Sequence, residues 1–207
     1  MRITALGLAG ATAVALLSGC GDSEGDTTAP PPPPPPTTPA APSAPAGGAD
    51  TAGAEVTPPG TKLKLGQRAV IPIKRASVTG TVGITVTAIE PGNQAAFQQQ
   101  FGSKAQGLDP YYIRYTVTNV GGTDLSRIST PLLGAVGPNG GSTGATVIFT
   151  GELPGCARGR PDDSFATAGA SFQHCRLQVA RQGVPVTGAE YDDSEGGYRD
   201  NPIVWTK

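Results

Sequence analysis

Val82, Ile84, Val86 and Ala88 alternate with Gly83, Thr85 and Thr87. A spacing of two puts each set on its own side of an extended backbone, so this stretch predicts a half-buried strand. Residues 111–120, Tyr-Tyr-Ile-Arg-Tyr-Thr-Val-Thr-Asn-Val, repeat the pattern: Ile113, Tyr115 and Val117 share one face, and Arg114, Thr116 and Thr118 share the other. Shorter apolar runs predict strands at Ala69–Ile73, Leu132–Val136, Thr146–Thr150, Phe172–Val179, Val186–Tyr191 and Ile203–Trp205. Turn signals separate them at Pro91-Gly92-Asn93, Val120-Gly121-Gly122-Thr123, Pro138-Asn139-Gly140-Gly141 and Gly188. Of these, Asn139-Gly140 is a strong hairpin-type signal. Gln94–Phe101 (QAAFQQQF) reads as one or two helical turns within a loop. Nothing between strands has the 3.6 period of a crossover helix, which disfavours a βαβ arrangement. About eight short strands predict an all-β, two-sheet antiparallel sandwich over residues 61–207.

The first residues follow another pattern. Met1-Arg2 is a short positive start, and Ile3 to Leu17 is an uncharged apolar run. At about fifteen residues this run is shorter than the ~20 needed for a spanning helix, and small residues follow it, so 1–19 reads as a signal peptide. Its end is Leu16-Leu17-Ser18-Gly19-Cys20 rather than the Ala-x-Ala of an ordinary secretory cleavage site. An aliphatic residue, two small residues and a Cys resemble the lipobox of bacterial lipoproteins. The resemblance implies diacylglycerol on the Cys20 thiol, cleavage before Cys20, and a chain anchored on the extracytoplasmic face of the cell membrane. One acyl chain holds a bilayer only marginally, whereas two or more hold it stably. The competing reading is a buried cysteine at the end of a short apolar segment.

Composition explains what comes next. Residues 21–59 hold five acids, no Lys or Arg, and twelve of the 21 prolines, including Pro30 to Pro36. With Val56 as its one large aliphatic, this segment cannot bury enough apolar surface to offset its ordering entropy, so 20–60 is expected to be a lipidated, disordered Pro/Thr/Ala-rich tether. As a coil it would reach about 35 Å, and fully extended about 130 Å. A Pro-rich ligand for a partner domain is the alternative, but the flanks lack the Lys or Arg that often orients one. Thr27, Thr28, Thr37 and Thr38 permit O-glycosylation. The tether is acidic by five charges, while residues 60–207 carry fourteen basic and eleven acidic side chains without a basic cluster. No nucleic-acid partner is expected.

With Cys20 lipidated, Cys156 and Cys175 remain as an even pair, which in an exported domain implies a disulfide. A catalytic or metal-ligating Cys175 beside His174 fails on counting, because His174 is the sole histidine and no Cys-x-x-Cys is present. The same count disfavours a Ser-His-Asp hydrolase, and no Gly-x-Ser-x-Gly, phosphate loop or His-Glu-x-x-His occurs. A non-enzymatic protein is therefore expected. The densest polar constellation is acidic. Asp192, Asp193, Glu195 and Asp200 could supply oxygen ligands for Ca²⁺, although the spacing is not that of an EF-hand and a solvated turn explains the same residues. Asp162-Asp163 could approach this cluster or cap the disulfide loop. Tyr111 and Tyr112 are adjacent in one strand and face opposite sides, so one could face a protein or glycan partner.

Together these features resemble a family: small lipoproteins of high-GC Gram-positive bacteria that carry a telokin-like, immunoglobulin-like domain of unknown function. The resemblance rests on the lipobox Cys20, the tether, and an opening strand Gly-x-x-x-Val-Ile from Gly66 to Ile71. It continues with Val-Gly-Ile-Thr-Val-Thr at 82–87 and the 111–120 strand ending in Gly-Gly. Two late cysteines and Tyr-Asp-Asp…Asn-Pro-Ile-Val-Trp at 191–205 complete it. The fold is similar to that of a mycobacterial secreted immunogenic antigen family. What the resemblance implies is an immunoglobulin-like sandwich displayed outside the cytoplasm as a monomeric binding or interaction module. Its partner would be an envelope protein or glycan, and the resemblance carries over no catalytic residue. Small-ligand or Ca²⁺ binding through 192–200 is the alternative role.

Overall fold

The computed structural model describes residues 54–75 and 77–207. The expected signal peptide, Cys20 and most of the expected tether lie outside the described residues. The elements are β1 (Lys62–Lys64), β2 (Arg68–Arg75), β3 (Val78–Pro91), α1 (Gln94–Phe101), β4 (Leu108–Asn119), β5 (Gly134–Val136), β6 (Ser171–Arg181), β7 (Gly188–Tyr191) and β8 (Ile203–Thr206). They form two four-stranded sheets, ordered β1-β8-β7-β5 and β2-β3-β4-β6. The result is the expected all-β sandwich with one short helix. All pairings are antiparallel except β1 with β8, which run parallel.

Alternation explains where the core lies. Val82, Ile84 and Val86 of β3 and Ile113, Tyr115 and Val117 of β4 point inward and meet Tyr191, Ile203 and Trp205 from the other sheet. The Trp205 indole N–H donates to the Gln67 carbonyl at 2.9 Å, so its one polar atom is satisfied although the ring is buried. A second, smaller cluster covers the opposite face of β4 and β6, where Phe97 of α1 and Leu153 pack on Tyr112, Leu177 and Val179. Asn93 caps α1 by accepting the Ala96 N–H at 3.0 Å.

Several sequence expectations are corrected. β1 was not foreseen, because Leu63 is its one apolar residue and its partner β8 lies at the far end of the chain. Thr146–Thr150 forms no strand. Val147 and Phe149 do alternate inward onto the second cluster, with Ile148 pointing to solvent, but no strand pairs with them. In β3 the register shifts between Val86 and Ala88, so Thr87 is an extra residue and the inward face passes to Ile89 rather than Ala88. Asn139-Gly140 makes the turn that its sequence favours, with φ of 57° and 77°, and the Gly141 N–H donates to the Pro138 carbonyl at 3.0 Å. No second strand follows it, so there is no hairpin. Gly188 is the first residue of β7, not a turn. The folded region also reaches back beyond residue 61: the Thr57 N–H donates to the Val70 carbonyl, and the Tyr198 hydroxyl donates to the Thr57 carbonyl at 2.9 Å.

Asn119 ends β4 as a fully buried polar side chain. Its Nδ2 donates to the carbonyls of Thr123 and Phe165, both at 2.7 Å, and its Oδ1 accepts the Gly122 N–H at 2.9 Å. One amide thus closes the Gly-Gly turn and ties it to the loop before β6. In urea unfolding of the full-length protein, Asn119→Ala is expected to lower stability by about 2–3 kcal/mol, because one buried and two partly buried backbone groups lose their partner together. A loss within experimental error of wild type would refute that role.

Candidate functional site

β6 is an edge strand whose two faces differ in chemistry. Cys175, Leu177 and Val179 face the second cluster. His174, Arg176 and Gln178 lie on the other side, because they stand opposite Tyr115, Ile113 and Tyr111 of β4 and adjacent paired residues project to the same face. Polar residues therefore occupy the inward face of this edge, where an aliphatic ladder would be the ordinary solution. Gln178 is satisfied, since its Nε2 donates to the Leu133 carbonyl at 2.8 Å. The Tyr115 hydroxyl donates to the Pro131 carbonyl at 2.7 Å, so the chain entering β5 is held against these two strands.

The edge is closed by the segment that carries the predicted cysteine. Cys156 and Cys175 form a disulfide with a Cα–Cα distance of 5.1 Å, as expected from the count of thiols. The Cys175 N–H donates to the Ala157 carbonyl at 3.1 Å. His174 Nδ1 lies 2.7 Å from the Gly159 carbonyl, which must accept, so Nδ1 carries the proton and Nε2 is the free nitrogen in the neutral ring. Gly159 passes so close to β6 that any Cβ there would overlap the carbonyl oxygen of Gln173.

Beside this closure is a cavity of about 200 Å³. Leu132, Val147 and Phe149 form its apolar side, and Arg158 and Arg176, with the neutral His174, form its polar side. Arg158 Nη1 donates to the Thr150 carbonyl, and its backbone N–H donates to Glu152 at 3.0 Å. His174 is 4% exposed and its ring centroid is 5.1 Å from that of Tyr115. Burial first, then the fields of Arg158 and Arg176, hold its pKa below the ordinary imidazole value, against the opposing pull of the Gly159 carbonyl. Burial also lowers the Arg176 pKa, while Asp192 acts through space in the opposite direction.

The other predicted residues are dispersed. Asp193 pairs with Arg75 at 2.6 Å and accepts the Glu195 N–H at 3.1 Å. Burial raises the Asp193 pKa, but the Glu195 N–H and the Arg75 guanidinium outweigh it and leave the carboxyl below its usual range. Asp192 instead lines a cavity with Glu190 and Arg176, and Glu195 and Asp200 are exposed. Among the described residues no three His, Cys, Asp or Glu side chains converge in a metal-binding group. Asp162 caps the short turn 163–166 by accepting the Ser164 N–H at 2.9 Å. Of the two tyrosines, one is enclosed and the other half-buried. Tyr112 is buried under α1, with its hydroxyl accepting the Asn93 N–H and donating to the Pro154 carbonyl, both at 3.1 Å. Tyr111 is partly buried against the main core. Arg158 and Arg176 were not singled out from sequence, though the alternation His174-x-Arg176-x-Gln178 was visible there. The chain matches no family model, no curated protein and no solved structure.

Two outcomes follow from the closure of β6. Replacing both cysteines by serine releases a cross-link between residues 19 apart in sequence and should lower the unfolding free energy by about 3 kcal/mol. Equal urea midpoints for the oxidised wild type and the double variant would contradict this. The second concerns pH. The buried His174 resists protonation in the folded state but takes a proton in the unfolded chain below its ordinary pKa of 6.5. Its contribution is complete above that value and is lost as pH falls toward the lowered folded pKa. Thermal melts between about pH 7.5 and about pH 5.5 should show a smaller decline in Tm for His174→Gln than for wild type. Parallel declines would sink the assignment.

Proposed function

We propose that this protein is a lipid-anchored, extracytoplasmic lipoprotein that displays an immunoglobulin-like binding domain. The observation that carries the reading is Leu16-Leu17-Ser18-Gly19-Cys20 at the end of the apolar N-terminal run. An acyl anchor at Cys20, followed by the Pro-rich stretch, would hold the domain tens of ångströms off the bilayer, in reach of envelope components.

The strand order supports the immunoglobulin-like reading. β3-β4-β6 follows the A-B-E order of such a domain, and β5-β7-β8 follows C-F-G. β2 is an added strand at one edge, and β1 pairs with the last strand. Two departures stand out. The disulfide joins a loop to β6 instead of bridging the sheets, and the single tryptophan sits in the final strand. The reading assigns no catalytic residue: His174 uses Nδ1 on a backbone carbonyl and packs on Tyr115. The cavity beside Arg176 favours small-ligand binding as the role of the domain over metal binding at 192–200.

Cells grown with labelled palmitate should incorporate label into the wild-type protein and not into Cys20→Ala. Label retained by Cys20→Ala would overturn the anchor.

A further inference from the structure

Two polar atoms on the inward edge of β6, His174 Nε2 and Arg176 Nη1, are closed off from solvent and hydrogen-bonded to no other residue. Buried nitrogens are normally paired, so two of them on residues that line one cavity mark a place where a partner belongs. We propose that this cavity binds a small organic monocarboxylate. Its carboxylate would meet Arg176, Arg158 and His174, and its apolar body would lie against Leu132, Val147 and Phe149. The inference rests on the domain being a binding module, and adds the ligand class.

Charge argues for an anion. Neither Arg158 nor Arg176 joins an ion pair among the described residues. The nearby acids do not neutralise them by contact, because Asp192 acts on Arg176 only through space and Glu152 is engaged by the Arg158 backbone N–H. A guanidinium presents its N–H groups as a planar fork that matches a carboxylate, and its charge persists at any physiological pH. The apolar wall argues for one charged end only. An inorganic phosphate would turn remaining oxygens toward the Leu132 and Val147 side chains, which offer no hydrogen bond.

Size and access fit the same class. A cavity of about 150 Å³ is enough for benzene, so the present 200 Å³ suits an acid the size of benzoate or hexanoate. The cover is the stretch 146–151, which has no ladder hydrogen bonds and is held by side-chain contacts, among them Arg158 to the Thr150 carbonyl and Phe149 against Phe101. At its rim stand two apolar side chains in water, Ile148 at 93% exposure and Leu132 at 49%. Such a rim favours an apolar chain at the entrance over a purely polar solute.

His174 gives the site a pH signature. The charged groups facing it are Arg158 and Arg176, and its ring neighbour Tyr115 is neutral. A carboxylate arriving at Nε2 offsets both arginines and favours the imidazolium, so binding takes up a proton and tightens as pH falls.

Calorimetry on the full-length protein in nanodiscs, blanked against empty nanodiscs, tests this with hexanoate, 1-hexanol and inorganic phosphate. Hexanoate should give a saturable site that weakens from about pH 6 to about pH 8, whereas hexanol and phosphate give none. Arg176→Gln and the more exposed Arg158→Gln should each weaken hexanoate by roughly tenfold or more, with far-UV melting curves showing that both still fold. Absence of a hexanoate site, equal binding of hexanol or phosphate, or unchanged hexanoate affinity in both variants would overturn the proposal. The palmitate result at Cys20 is independent of all these outcomes, so failure of the anchor and failure of the ligand class are distinguishable.

Discussion

An edge strand leaves a row of N–H and C=O groups without a neighbour, and β6 is such an edge in the β2-β3-β4-β6 sheet. The short run 156–159 closes part of it through a disulfide at Cys175, a hydrogen bond from the Cys175 N–H to Ala157, and one from His174 to Gly159. Gly159 makes the approach possible, since any larger residue would overlap the Gln173 carbonyl. Much of the surrounding structure follows from this pinning. It places Arg158 beside His174, and it brings Pro154 and Gly155 to the Tyr112 hydroxyl and the Arg114 guanidinium. It also lays Leu153 over the outer face of β4 and β6, so that α1 has an apolar surface to cover. The outer cluster and the cavity thus share one covalent support.

Legibility tracked how local the determining interaction is. Inward residues of β3 and β4 were readable because alternation is a property of the strand itself, and α1 was readable from QAAFQQQF beside Asn93. The Thr87 bulge was not, because an extra residue leaves no mark in composition and shows only when β3 is laid against β4. β1 was missed because it is specified by Val204–Thr206, more than a hundred residues away in the chain. Thr146–Thr150 misled for the opposite reason: its side chains alternate as a strand's would, but no backbone partner lies alongside. The candidate site failed in a subtler way. His174, Arg176 and Gln178 were plainly polar alternates in the sequence, yet only pairing with Tyr115, Ile113 and Tyr111 decides that they face inward.

The acidic run after β7 shows how tertiary pairing redistributes a cluster that looks single in sequence. Arg75, at the end of β2 in one sheet, takes Asp193, which follows β7 in the other. A partly exposed pair of this kind adds little stability, so its effect is to orient the chain. With Asp193 turned to Arg75, Asp192 is left beside Glu190 on the Arg176 side, and Glu195 and Asp200 remain in solvent. The same four carboxylates therefore act in separate places, and one of them tunes the field at Arg176.

The polar inward edge of β6 has an energetic cost that bears on why the disulfide is where it is. Each buried, unpaired nitrogen at His174 and Arg176 costs on the order of 1–3 kcal/mol. An aliphatic residue opposite Ile113 would remove the Arg176 share of that cost and extend the core, and nothing in the β4–β6 backbone pairing forbids one. The disulfide contributes about 3 kcal/mol at the neighbouring position, enough to offset much of the penalty locally. Without that cross-link, the cheapest relaxation would let the edge peel away and hydrate Arg176 and His174. With it, Arg176 and His174 stay desolvated beside one cavity. A local rule of core composition is broken at one place and compensated at the next residue.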